Sequence, residues 1–268
     1  MSSYFILIFI FLHFCSSETF FIHNKFLTLY RKMKQNLPPS YDPLEKQKLI
    51  ISAPAGLHGF YLFGVSAFIK ENYNLTNYIF SGASAGSWNS LFLSFKGNDT
   101  EFIEHVLTPS VYNVTTLLQI EKNMKNSLLE HYKENDFDLH KLYLGVSVVS
   151  FPFRVQLKIY DNFKSLKDTL DGCIASSHIP FITGGLIHIY KNRISIDGGL
   201  FSYPYIKFIR PEFIIEPNVW NSSLTKQTNC SLKMFFQSHT VNNNITQLFE
   251  AGYNDSLRNK AYLDEIFL

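Results

Sequence analysis

The stretch Asn77-Tyr78-Ile79-Phe80-Ser81-Gly82-Ala83-Ser84-Ala85-Gly86-Ser87-Trp88 decides the reading of this chain. It opens on a short β-prone run, passes through Gly82-Ala83-Ser84-Ala85-Gly86, and enters an apolar helical pattern over Ala85 to Phe95. G-x-S-x-G between a strand and a helix is the setting of a nucleophile elbow, a sharp turn that exposes a serine Oγ. Side chains two residues either side of that serine would clash, so Gly82 and Gly86 are the residues the turn requires. The next N–H, on Ala85, would point at a developing oxyanion, and the helix N-terminus would add positive potential there. A plain turn of small residues before a helix spells the same five letters, so the motif needs partners elsewhere.

Around the elbow the pattern alternates. Lys48 to Ala53 reads as a strand, Phe60 to Lys70 as a helix, and residues 101–132 carry helical spacing. Leu142 to Ser150 reads as a buried strand that Phe153 to Ile159 pairs with; Leu166 to Ser176 is a helix and Arg193 to Ile196 a strand. Strands interleaved with helices predict an α/β sheet with helices on both faces. Residues 213–268 are Asn-rich and look less regular, which reads as a C-terminal extension or cap.

Composition sets limits on function. A chain of 268 residues can bury a full core. Its charged fraction of 17% is low and its aromatic fraction of 16% high, with 26 Phe, which excludes a disordered chain. A net charge of +2 supplies no basic face for nucleic acid. Three cysteines make neither a disulfide scaffold nor a zinc site.

A nucleophilic serine needs a base. A hydrolase triad would place an acid and then a histidine after it, an order that His178, His188 and His239 all satisfy. Asp197 is the better partner. In Ser195-Ile196-Asp197-Gly198-Gly199 a carboxylate sits beside two glycines, where no side chains bar a close approach to the serine. A D-G-G turn between strands reads the same way.

Taken together, the blocks resemble the patatin-like phospholipases, serine lipid acyl hydrolases. The matching blocks run in the family's order: a loop after the first strand, Ser52-Ala53-Pro54-Ala55-Gly56-Leu57-His58-Gly59; the elbow Gly82 to Gly86; Ala175-Ser176-Ser177-His178-Ile179-Pro180; and Asp197-Gly198-Gly199 with Pro204 beyond. The resemblance covers residues 49–205 and implies a three-layer α/β/α fold on a mostly parallel sheet. It implies a Ser-Asp dyad, with Ser84 as nucleophile and Asp197 as general base, and no cofactor or metal. Ala55, Gly56 and Ala85 are the implied oxyanion donors, with Gly59, Gly82, Gly86, Gly198 and Gly199 as motif glycines. The implied substrate is a phospholipid or acylglycerol ester at a membrane or lipid-droplet surface. One departure stands out: the loop carries Pro54 and Ala55 where relatives carry glycine, and proline has no N–H to donate. That weakened loop favours an alternative, a non-catalytic lipid-binding module on the same fold.

The N-terminus reads as a targeting segment. Tyr4 to Phe14 is an uncharged apolar run of eleven residues, shorter than the about 20 that a spanning helix needs. It fits a secretory signal over residues 1–17, or a signal anchor, and places the chain in the secretory pathway. Residues 18–47 form an aromatic, mildly basic linker, 48–206 the patatin-like domain and 207–268 the extension. Asn74, Asn98, Asn113, Asn221, Asn229, Asn244 and Asn254 begin glycosylation sequons, against about three expected by chance in so Asn-rich a chain. Cys173 and Cys230 are left to pair in an oxidising lumen.

Overall fold

The computed structural model describes residues 47–114, 116–150, 154–199, 210–220 and 245–268. The expected signal segment 1–17, the linker up to residue 46, Pro204, Cys230, His239 and the sequons at Asn221, Asn229 and Asn244 lie outside the described residues. Residues Lys46–Leu268 belong to one compact unit.

Strand β1 (Lys48–Ser52) is apolar on both faces, as a strand in the middle of a parallel sheet must be. It pairs in parallel with β2 (Tyr78–Ala83) on one side and with β7 (Pro211–Ile215) on the other. Strand β2 pairs in parallel with the first residues of β3 (Leu142–Ser150). Around this parallel centre, β4 (Arg154–Tyr160) and the hairpin β5 (His188–Tyr190) and β6 (Arg193–Ile196) are antiparallel additions, giving a seven-stranded sheet. The fold is thus mixed α/β, with a central, mostly parallel sheet flanked by helices, as expected.

Strand β3 serves two partners on one edge. Leu144 and Gly145 pair with both β2 and β4, so those strands lie on opposite edges of β3. Ser147 to Val149 pair with both β4 and β6, so β6 lies on the β2 edge. Because β2 runs parallel to β3 and β6 antiparallel, their C-terminal ends meet head to head. Ala83 sits opposite Gly145 and Ile196 opposite Ser147, with only Val146 between them on β3.

The main core lies on the Ile50 and Phe80 face, under helices α1 (Gly59–Asn72), α2 (Ala85–Leu93), α3 (Asp99–Val106), α5 (Leu117–His131) and α6 (Leu166–Ser176). Leu49, Ile51 and Ile79 form a second buried cluster on the opposite face. The helical pattern over 101–132 is broken at Pro109, which opens the four-residue α4 (Pro109–Tyr112). Asn98 and Thr116 restart the helices by accepting from the Thr100 and Gln119 amides.

The C-terminal part departs from the sequence reading. Rather than an extension from residue 207, it supplies sheet strand β7 and the helices α7 (Ile245–Arg258) and α8 (Lys260–Phe267). Helix α7 packs backbone to backbone on α1. A Cβ at Gly64 would lie 2.0 Å from the Phe249 carbonyl oxygen, and one at Gly252 2.0 Å from that of Tyr61. The Tyr61 hydroxyl donates to Asp255 Oδ2 across the contact at 2.7 Å. The short β7 opens on a proline and α7 carries polar residues on its outer turns, so composition disguised both. Cys173, read as half of a bridge, is a buried free thiol on α6.

Gly64→Val should therefore force α1 and α7 apart. The expected loss is about 1–3 kcal/mol, typical of overpacking, read as a lower urea midpoint, whereas a C-terminal appendage would leave the midpoint unmoved.

Candidate active site

Ser84 sits between β2 and α2 with φ 55° and ψ −134°. A non-glycine residue there carries strain of about 1–3 kcal/mol, which its surroundings must hold in place. The Ser84 N–H donates to Ser176 Oγ at 2.8 Å, and Ser176 Oγ donates in turn to the Gly145 carbonyl at 2.6 Å. The Ser84 carbonyl accepts from both the N–H and the hydroxyl of Ser87. The flanking glycines are sterically required: a Cβ at Gly82 would lie 2.1 Å from the Gly86 carbonyl oxygen, and one at Gly86 2.1 Å from that of Ser52.

Asp197 leaves β6 at the point where β6 meets β2. Its N–H donates to the His178 carbonyl at 2.7 Å, and the Gly198 N–H donates to the Ser176 carbonyl at 2.8 Å. Ser176 thus grips the serine turn with its side chain and the aspartate turn with its backbone. The Ser84 hydroxyl donates to Asp197 Oδ2 at 2.5 Å, while Oδ1 accepts from the Gly199 N–H at 2.7 Å. Both side chains are buried, Ser84 with 6% exposed and Asp197 with 4%. Burial pushes the Asp197 carboxyl up to about 6, against the two hydrogen bonds that favour its ionised form.

The loop after β1 approaches the same point. Ala55 has φ −145°, outside the left-handed region that favours glycine. Gly56 has φ 53° and is where glycine is needed. Gly56, Gly59 and Ala85 border one pocket with Ser84; Ala55 does not border it. Among the described residues the Gly56 and Ala85 amides make no hydrogen bond, so both remain available as donors. Pro54 fills the space left by Gly199, where a Cβ would lie 2.3 Å from its own. The proline therefore packs the loop against the aspartate turn.

Of the candidate histidines, His178 and His188 are described, and neither ring contacts Ser84 or Asp197. The His178 ring lies against His188, with centroids 5.3 Å apart, and burial pushes its pKa down to about 4. Its backbone carbonyl, rather than its ring, contacts Asp197. Among the described residues no three His, Cys, Asp or Glu side chains converge to hold a metal ion.

The pocket walls are mostly apolar. Of the aromatic residues near the motifs, Phe60, Phe63 and Trp88 line it. Tyr61 and Phe92 are core, Phe181 is exposed, and Phe151, Phe153, Phe201 and Tyr203 lie outside the described residues. The sequence reading missed two residues here. Ser176 lay inside a quoted block without a role. Glu121 lies on the apolar stripe of α5 with Met124 and Leu128, a carboxylate at core spacing that could have been noticed. Compared with known families and curated proteins, the chain matches no family model and no curated protein.

A buried carboxyl with a raised pKa binds its proton more tightly folded than unfolded, so stability falls as pH rises through that range. For Asp197 the range runs from the ordinary 3.8 to about 6. Asp197→Asn should flatten this part of the stability curve and stabilise the protein above pH 6 by on the order of 2–3 kcal/mol. Urea unfolding of both proteins at pH 4.5, 6 and 8 measures it; parallel curves would contradict it.

Proposed function

We propose that the chain is a lipid acyl hydrolase of the patatin-like type, cleaving carboxylic esters of phospholipids or neutral lipids through Ser84 and Asp197. The observation that carries this reading is the direct 2.5 Å hydrogen bond from the Ser84 hydroxyl to Asp197, at the wall of an apolar pocket. A strained elbow, a buried carboxylate and free amides in one place are the parts of an acyl-transfer site.

The chemistry follows from the geometry. Ser84 Oγ attacks the ester carbonyl carbon as its proton passes to Asp197. The carbonyl oxygen becomes an oxyanion that the Gly56 and Ala85 amides receive, aided by the N-terminus of α2. The C–O bond to the alcohol breaks, and Asp197 gives its proton to the departing oxygen. Water then enters, loses a proton to Asp197 and attacks the acyl carbon, and Ser84 leaves with that proton restored. A carboxyl held near 6 accepts a proton more readily than an ordinary one, which suits it to act as base without a histidine.

A lipid surface as partner is supported by exposed apolar side chains. Phe181, 66% exposed, lies between the pocket residues Ile179 and Thr183. Ile187, Ile189 and Ile194 stand exposed on the β5–β6 hairpin, where Ile189 and Ile194 pair across strands. Passage through the secretory route rests on the apolar N-terminal run and on the sequons; Asn74, Asn98, Asn113 and Asn254 are all exposed.

With phosphatidylcholine and triacylglycerol micelles and a chelator, wild type should release fatty acid, Ser84→Ala none, and Asp197→Asn about 10²–10⁴-fold less. The wild-type kcat/KM should rise with pH through about 6, as the base ionises. A folded protein that neither releases fatty acid nor reacts with a fluorophosphonate probe would favour the non-catalytic lipid-binding module that Pro54 raises.

A further inference from the structure

Strand β3 runs on past the end of β2, and its last residues carry an antiparallel patch of four strands, in the order β4, β3, β6 and β5. Directly paired residues share a face, so the register sets Ile189, Ile194, Val149 and Val155 in one row across all four strands. Ile196 and Leu157, both opposite Ser147, lie on the same face one pleat along. Val148 belongs to the main core, so Val149 and its row point away from that core. None of the six packs against either buried cluster, and Ile189 and Ile194 are 66% and 39% exposed.

Charge says what covers this face. Residues 142–160 and 174–196 hold all four strands; they contain Arg154, Lys158, Lys191 and Arg193, and no Asp or Glu. Asp168 takes up Lys191 at 3.0 Å. Arg154, Lys158 and Arg193 are exposed and make no salt bridge among the described residues. Among those residues β4 pairs only with β3, so the long side chains of Arg154 and Lys158 can reach round its open edge. A second copy of the chain would bring the same cations against these, and like charges repel. An anionic lipid surface answers both features, with acyl chains for the aliphatic row and head groups for the cations.

The hairpin is also tied to the pocket wall. The His188 ring at its start lies 5.3 Å from the His178 ring, and the turn after His178 carries the pocket residues Ile179 and Thr183.

We propose that the outer face of this four-stranded patch is the docking surface for an anionic phospholipid bilayer, with Ile189 and Ile194 entering the lipid. The proposal rests on the lipid-surface reading above and names the face and the head-group charge.

The test uses the full chain and vesicles of phosphatidylcholine, alone or with about 30% phosphatidylserine. In flotation, wild type should bind the mixed vesicles about tenfold or more tightly than the neutral ones, and less so as salt is added. The double variant Arg154→Gln, Lys158→Gln should lose most of that preference. Ile189→Asp should weaken binding to the mixed vesicles by about tenfold. The apolar N-terminal run has lipid affinity of its own, so the contact is located with added tryptophans. Brominated lipid should quench Ile189→Trp above the wild-type background, and quench it more than Leu257→Trp, an exposed position on α7. Equal quenching at both positions, equal affinity for both vesicles, or no binding overturns the proposal. So does a dimer in solution that Ile189→Asp dissociates, which would make the face an interface between copies. Cleavage of soluble p-nitrophenyl butyrate needs no docking and tests the hydrolase reading separately. The three surface variants should keep the wild-type rate on it; if wild type cleaves none, the hydrolase reading fails and the vesicle results still decide the face.

Discussion

Two strands that end head to head on the edge of a third are the constraint on which the site depends. Strand β3 is long enough to template β2 with its first residues and β6 with its later ones. Opposite strand directions make the two C-terminal ends converge over Val146. Ser84 and Asp197, 113 residues apart in the chain, are simply the next residue after each end. Their separation is set by backbone ladders, which are stiffer than side-chain packing, so the dyad inherits the precision of the sheet.

That convergence leaves very little room. Gly82, Gly86 and Gly198 each stand where a Cβ would press on a carbonyl oxygen, and Gly199 where it would press on Pro54. Ser176 then serves both turns, binding the Ser84 amide by its hydroxyl and the Gly198 amide by its carbonyl. Strain at Ser84 and burial of Asp197 both oppose folding. The core beneath them supplies the compensation, including the close α1–α7 contact formed by the C-terminal residues. Pro54 has a double character. It removes one potential donor from the loop, and it locks that loop against the aspartate turn while Gly56 and Ala85 remain free.

Much of the fold was legible because the strands β1, β2 and β3 are continuous apolar runs and the helices α1, α2 and α6 follow at ordinary spacing. The C-terminal elements were not. Strand β7 is five residues opened by a proline, and α7 carries a glycine and a serine where a core-facing leucine would announce a helix. Those small residues are there because α1 approaches so closely, a fact that belongs to the partner helix. Glu121 was hidden for a related reason: the periodicity of α5 says that the position faces inward, but not that it borders a pocket.

The sequence by itself determined the elbow, its two glycines and its serine, because strand–turn–helix chemistry and the steric demands of glycine are local. It also determined the alternation of strand and helix that makes the α/β sheet. Only the tertiary structure shows which titratable side chain lies against the serine hydroxyl. Three histidines and an aspartate were all compatible in chain order, and the shared edge of β3 brought Asp197 to the hydroxyl while the His178 ring was turned against His188. It likewise decided that Gly56 rather than Ala55 borders the pocket. Distances between remote segments are fixed by sheet register and helix packing, and no local pattern encodes them.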